Sequence, residues 1–228
     1  MTITEVGRMV VKPGLDVMDD STEAGQILRG IYKSVITAPG GPSRIFWGTE
    51  VENPLKLWGF IDWDTVEDHE KFARSHGQEL TKPYPKILES GEFTKHIVVK
   101  PFPPKVLHSP VTEVMVAYFP SNISQSTKDA NSARFQEFTE KGLNTCSEVQ
   151  GISYGWGLEN DFPLRDQEKD QKGTMFTALI GWSSIDAHMA FRETNEFKES
   201  IHLLRGFEEL VKLGMFHIHC KSLEKKED

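Results

Sequence analysis

Cysteine is scarce in this chain, and so are long apolar runs, basic stripes and the glycine-rich signatures of nucleotide sites. Only two cysteines occur among 228 residues, Cys146 and Cys220, both in the second half and neither in a CxxC. A disulfide scaffold or a Cys-based zinc site is not expected, and two free thiols in a reducing compartment are the simpler reading. No stretch approaches the roughly 18–20 apolar residues needed to span a bilayer. The first residues, MTITEVGRMVVKPG, read as a strand rather than a leader peptide, so a cytosolic protein is expected. The 26 basic residues are outnumbered by 34 acidic ones, for a formal net charge of −8, and none of the basic residues cluster. Nucleic acid is therefore not an expected partner. The GxGxxG, GxxxxGK[ST], GxSxG and HExxH patterns are all missing, which removes support for dinucleotide, triphosphate, serine-hydrolase and zinc-protease chemistry.

What the chain does contain is an internal repeat. WDTVEDHEKF at Trp63–Phe72 and WSSIDAHMAF at Trp182–Phe191 share Trp, five residues, His, two residues, Phe. Upstream, RIFWGTEVEN (Arg44–Asn53) matches ISYGWGLEN (Ile152–Asn160), and downstream GEFTKH (Gly91–His96) matches GMFHIH (Gly214–His219). Three matches in the same order point to two copies of one module.

Alternating apolar residues predict strands near Val6–Val11, Arg44–Glu50, Leu57–Trp63 and Phe93–Val99 in the first copy. A helix over Ser21–Ile36 is expected, with Ser21 as N-cap and Pro39-Gly40-Gly41 as its stop. A second begins at Thr65 with Asp68 at N3, and a further turn over Gln78–Glu89 is broken by Pro83 and Pro85. In the second copy, strands fall near Val111–Phe119, Ile152–Leu158, Met175–Trp182 and Met215–Lys221. Helices are expected over Gln125–Cys146, Ile185–Glu199 and Ile201–Leu213, the last closed by Gly214.

The expected fold class is therefore α+β: two tandem ferredoxin-like βαββαβ repeats, residues 1–104 and 105–228. They are joined by the proline-rich linker Pro101–Pro110, with a polar, exposed insert over 161–173 and a solvated tail from Lys221. Each sheet would leave one face bare, so the two would pack sheet to sheet into an intrachain barrel.

The strand ending in Trp, followed by the Ser/Thr, Asp/Glu, His and Phe of the helix start, resembles the dimeric α+β barrel superfamily. Its closest branch by these motifs is the antibiotic-biosynthesis-monooxygenase-like proteins, in particular the tandem-repeat members from fungi. The resemblance implies a barrel made by two halves of one chain. It also implies a range of activities that includes cofactor-independent monooxygenases, polyketide cyclases, isomerases, haem-degrading enzymes and stress proteins without a reaction.

Candidate site residues fall into groups. His69 and His188 recur in both copies at the first turn of a helix, where each could act as a general base or simply pack on the preceding Trp. His96, His217 and His219 lie on fourth strands, with His217 and His219 on one face, and could line the interior; a metal is not expected. Trp47, Trp58, Tyr154 and Trp156 could wall an apolar pocket, with Gly48 and Gly157 leaving space beside two of the rings, or could fill cores. Glu50 and Glu159 match in the repeat, and exposure at a strand end is expected for both. Tyr32, His76 and Tyr84 occur only in the first copy, so a shared fold requirement does not explain them. In cyclases of the resembled fold a His and a Tyr supply the proton relay, which makes this trio the preferred asymmetric site.

The expected function is a cofactor-independent enzyme acting on a hydrophobic aromatic or polyketide-like metabolite by cyclisation, isomerisation or oxygenation. The alternatives are a non-catalytic stress-associated or ligand-binding protein, and haem binding. The partner is a small hydrophobic molecule, with the chain a monomer or homodimer.

Overall fold

The computed structural model describes residues 1–164 and 171–225. The chain is α+β and divides into two compact units, Met1–Val98 together with Ile218–Asp228, and Val99–His217. Among the described residues no helix is long and apolar enough to cross a membrane.

The first unit runs β1 (Ile3–Val11), α1 (Glu23–Thr37), β2 (Arg44–Thr49), β3 (Lys56–Trp63), α2 (Val66–Phe72), α3 (Gln78–Leu80), α4 (Tyr84–Ile87) and β4 (Leu88–Lys100). Its strands pair antiparallel in the order β2-β3-β1-β4, the split-βαβ order. Side chains alternate across the strands: Leu57, Gly59, Ile61 and Trp63 of β3 face the helices, and Trp58, Phe60 and Asp62 face the other way. Helix α1 turns Leu28, Tyr32 and Ile36 onto the first face, where they bury with Ile45, Trp47 and Leu57.

The second unit runs β5 (Val111–Pro120), α5 (Gln125–Lys141), β6 (Val149–Gly157), β7 (Phe162–Pro163), β8 (Lys172–Trp182), α6 (Ile185–Phe191), α7 (Asn195–Arg205) and β9 (Lys212–Ile218). Its strand order is β6-β8-β5-β9, with β7 added beside β8. The core is aromatic: Phe119, Phe135, Phe176 and Phe207 pack against Trp156 and Tyr154. Each fully buried ring of this kind contributes roughly 1.5–3 kcal/mol relative to exposure. A last strand, β10 (Lys221–Glu224), pairs with β2 of the first unit, Lys221 opposite Trp47.

Several local expectations are corrected. Helix α1 is capped by Thr22, whose hydroxyl accepts from Gly25 N–H at 3.0 Å; the backbone N–H of Ser21 is already committed to Asp19 at 2.8 Å, which holds the chain in one more turn. Thr65 does cap α2, accepting from Asp68 N–H at 3.1 Å. The helical stretch after Ser184 breaks at Thr194, which caps α7, and not at Ser200. The Ser200 hydroxyl donates to Glu196 O at 2.6 Å inside that helix. Helix α7 ends at Gly206, so Gly214 lies within β9 and is not a C-cap. The polar insert is not all exposed loop, because Phe162 is fully buried against Gly157; residues 165–170 of that insert lie outside the described residues. The tail expected to be solvated from Lys221 opens with β10, anchored by the Lys221 ammonium 2.8 Å from Asp20.

Candidate active site

In the first unit β3 ends on Trp63, and the Thr65 cap starts α2 at once, so His69 stands one turn into the helix directly over the indole, ring centroids 5.1 Å apart. The indole N–H of Trp63 donates to Glu5 Oε2 at 2.8 Å, and His69 Nε2 lies 3.3 Å from the same oxygen. Antiparallel register sets Glu5 of β1 opposite His96 of β4, and His96 Nε2 lies 2.7 Å from His69 Nδ1. With Glu5 ionised, one proton arrangement satisfies the chain: His69 donates from Nε2 to the carboxylate and accepts at Nδ1 from His96. Burial pushes the Glu5 carboxyl up from 4.5 to about 7, opposed by the Trp63 hydrogen bond and the charge on His96. The group therefore changes protonation near neutrality, as a general base should.

This carboxyl opens into a cavity of about 190 Å³, walled by Trp63, His69, Phe72 and Ile61, with Tyr32 and Tyr84 on its boundary. The two phenols are hydrogen-bonded to each other. Burial, then the neighbouring phenol, raises Tyr32 well above 10, and burial raises Tyr84 to about 12, so both are neutral at ordinary pH, Tyr32 donating to Tyr84 and the Tyr84 hydroxyl left to donate. Gly59 makes the room: a Cβ there would stand 3.2 Å from the Tyr32 hydroxyl.

The second unit repeats the geometry. The Trp182 indole N–H donates to Glu113 Oε2 at 3.0 Å, His188 Nε2 lies 3.4 Å from that oxygen, and His188 Nδ1 lies 2.7 Å from His217 Nε2. His188 stacks on Trp182 at 4.7 Å. Glu113, Trp182 and His188 border a cavity of about 130 Å³ whose walls include Phe138, Phe191, Phe197 and aliphatic side chains, without a tyrosine. Glu5 and Glu113 escaped the sequence reading. Their signal was a fourth match, Thr-Glu-Val at Thr4–Val6 and Thr112–Val114, in the first strand of each unit.

Other expected site residues lie elsewhere. His76 does not join Tyr32 and Tyr84: it packs on Phe72 at 5.0 Å and lines a separate hollow with Pro39 and Asp68, because a π-helical turn over Ala73–Gly77 rotates it off the cavity side. Trp47 lies in the core against Tyr32 at 5.0 Å, and the space expected beside it at Gly48 is taken by the His219 carbonyl, 2.6 Å from where a Cβ would sit. Trp58 points to the opposite face of the sheet, donating to Glu50 Oε1 at 2.9 Å under the guanidinium of Arg8. Glu50, expected at an exposed strand end, is 1% exposed, with Arg8 at 3.4 Å. Glu159 is half-buried just beyond β6. Tyr154 and Trp156 are partly buried rings packed against the core, Trp156 donating to Ser132 at 2.9 Å, and neither borders the second cavity; the Phe162 ring fills the space at Gly157. His96 and His217 each bond the helix histidine of their own unit, and His219 lies beyond β9, exposed. Among the described residues no group of three His, Cys, Asp or Glu side chains is placed to hold a metal. Both cysteines are free, and burial pushes the Cys220 thiol far up.

No family model matches the chain, and no curated protein does. Solved structures do. A protein described as anthrone oxidase-like superposes with a TM-score of 0.65 at 14% identity, over 97% of this chain and 93% of its own. A provisionally assigned monooxygenase from Lactobacillus acidophilus NCFM gives 0.58 at 10% identity, over 98% and 96%. One from Fusobacterium nucleatum gives 0.59 at 13%, over 98% and 94%. At these identities the likeness is one of fold.

Proposed function

We propose that the cavity of the first unit is the active site of a cofactor-independent enzyme that takes a proton from a small aromatic substrate. The observation that carries this reading is Glu5: a carboxyl poised near neutral pH at the floor of an apolar cavity, beside two neutral phenols that the other unit lacks. Glu5 would accept the substrate proton, His69 and His96 would hold the carboxylate in place, and Tyr84 would donate to the oxyanion that develops while its own oxygen accepts from Tyr32. In this reading His69 and Tyr32 are positioning residues, and Tyr84 has the catalytic role without His76. In the second unit His188 would position Glu113 in the same way.

The volume narrows the substrate. A dry cavity of about 150 Å³ holds benzene, so about 190 Å³ suits one substituted ring rather than a polycycle. The names carried by the structural neighbours favour oxygenation over cyclisation or isomerisation. A phenolic substrate would lose its hydroxyl proton to Glu5, and the phenolate would bond dioxygen at a ring carbon that carries hydrogen and become a hydroperoxide on reprotonation. Loss of water then leaves a carbonyl, so that dioxygen is the oxidant and no bound redox group is required. We also read the two units as tandem copies of one module joined near Lys105, in a cytosolic protein.

Oxygen uptake with a panel of single-ring phenols and hydroquinones tests this directly. Saturable uptake that is lost in Glu5→Gln and reduced in Tyr84→Phe is the expected result. No saturable binding of any member, or equal turnover by Glu5→Gln, would overturn it. The rival reading, a non-catalytic protein whose Glu–Trp–His–His sets are structural, is favoured by their presence in both units. It predicts that Glu5→Gln alters stability while ligand binding stays intact.

A further inference from the structure

The second cavity differs from the first where a ligand would enter. Both are lined by a Glu, a Trp and a His of the repeated set, but the first is edged by Tyr32, Tyr84 and Thr81, all neutral, and the second by Arg192 and Arg205. Both arginines border the cavity and are exposed, which places them at its mouth. Neither belongs to an ion pair recorded among the described residues; the Arg192 guanidinium has the Met189 sulfur at 3.9 Å. Two arginines on one cavity are not part of a generally basic surface, since the chain carries eight more acidic than basic side chains. Between mouth and floor the walls are apolar: Phe138, Phe191, Phe197, Ile201 and Leu204.

An apolar slot with a cationic rim complements a hydrophobic anion that buries its body and keeps its charge at the surface. Guanidinium groups suit a carboxylate, which they bind through paired, charge-assisted hydrogen bonds. Glu113 is tied to Trp182 and His188, and the two arginines, being exposed, hold the ligand's carboxylate at the solvent end of the slot. About 130 Å³ accommodates one ring. We infer that the second unit holds a binding site for a small aryl carboxylate, its ring in the slot over Trp182 and its carboxylate between Arg192 and Arg205. This site is distinct from the first cavity and does not depend on the reaction proposed there.

Three methionines report on the two cavities: Met115 and Met215 border the second, Met9 the first. With the whole chain labelled at its methionine methyl carbons, titration with phenylacetate should shift Met115 and Met215 saturably and leave Met9 in place. Phenylacetamide, of the same shape without the charge, should bind about tenfold more weakly, and so should phenylacetate to R192Q/R205Q. Both arginines are on the surface, so that variant keeps its fold, which an unchanged Met9 spectrum will verify, Met189 being expected to shift because its sulfur touches Arg192. Shifts at Met9 instead, equal binding of the amide, undiminished affinity in the double variant or no saturable shift at all would each overturn the inference.

Discussion

At the scale of single residues, Glu5 decides most of the chemistry and yields the sharpest expectation. Its carboxyl titrates near 7 in the fold against 4.5 when unperturbed, so the folded state holds this proton more tightly than the unfolded one. Below pH 4.5 both states are protonated and burial of the neutral acid is tolerated. As pH rises toward 7 only the unfolded chain ionises, so stability declines through that window and levels off above it, by at most about 3 kcal/mol. Glu5→Gln should flatten that decline in urea titrations run from pH 4 to 8. Turnover by the wild type should climb as pH passes about 7, the limb that an ionised base produces. Trp182 offers a second test. Its buried indole N–H is a donor to Glu113, and Trp182→Phe strands that acceptor, which should cost about 1–3 kcal/mol in chemical denaturation. The histidines of the Trp–His–Phe motif were legible in the sequence because identical residue types recur at identical spacing. Glu5 carried only the short Thr-Glu-Val match, and a Glu on an alternating strand looks outward-facing until its register against β4 sets it opposite His96.

At the scale of elements, polar caps divide the helical stretches, and hydrophobic periodicity does not. Thr65, Ser184 and Thr194 each accept a backbone N–H three residues on. Thr194 is the instructive one, since it separates α6 from α7 in a run of sequence that reads as a helix broken six residues later. Thr194→Ala should destabilise the protein by about 1 kcal/mol, and circular dichroism during urea unfolding will measure it. Ser200, the break expected from sequence, sits mid-helix with its hydroxyl turned back on Glu196, so Ser200→Ala should preserve the helix. The π-helical turn after α2 matters more for function. It carries His76 off the cavity and leaves Tyr84, at the start of α4, to meet Tyr32.

At the scale of the whole molecule, order along the chain and membership of a compact unit part company at the end. Strand β10 follows the whole second unit in sequence yet pairs with β2 of the first and ties Lys221 to Asp20. A chain ending at Cys220 should lose at least about 1 kcal/mol, seen as a fall in Tm of roughly 2–4 °C for a protein of this length, with the loss reported by Trp47, which β10 crosses. The α+β class, most strands, the capped start of α2 and the doubled Trp–His–Phe motif were set by the sequence alone, because alternation, helical spacing and capping are local properties of consecutive residues. Tertiary structure alone decided which carboxyl meets which histidine, that Trp58 and Glu50 lie on the face away from the cavity, and that one cavity is edged by phenols and the other by guanidiniums. Those are matters of strand register and of which sheet face a side chain leaves from, and register is fixed only when distant strands pair.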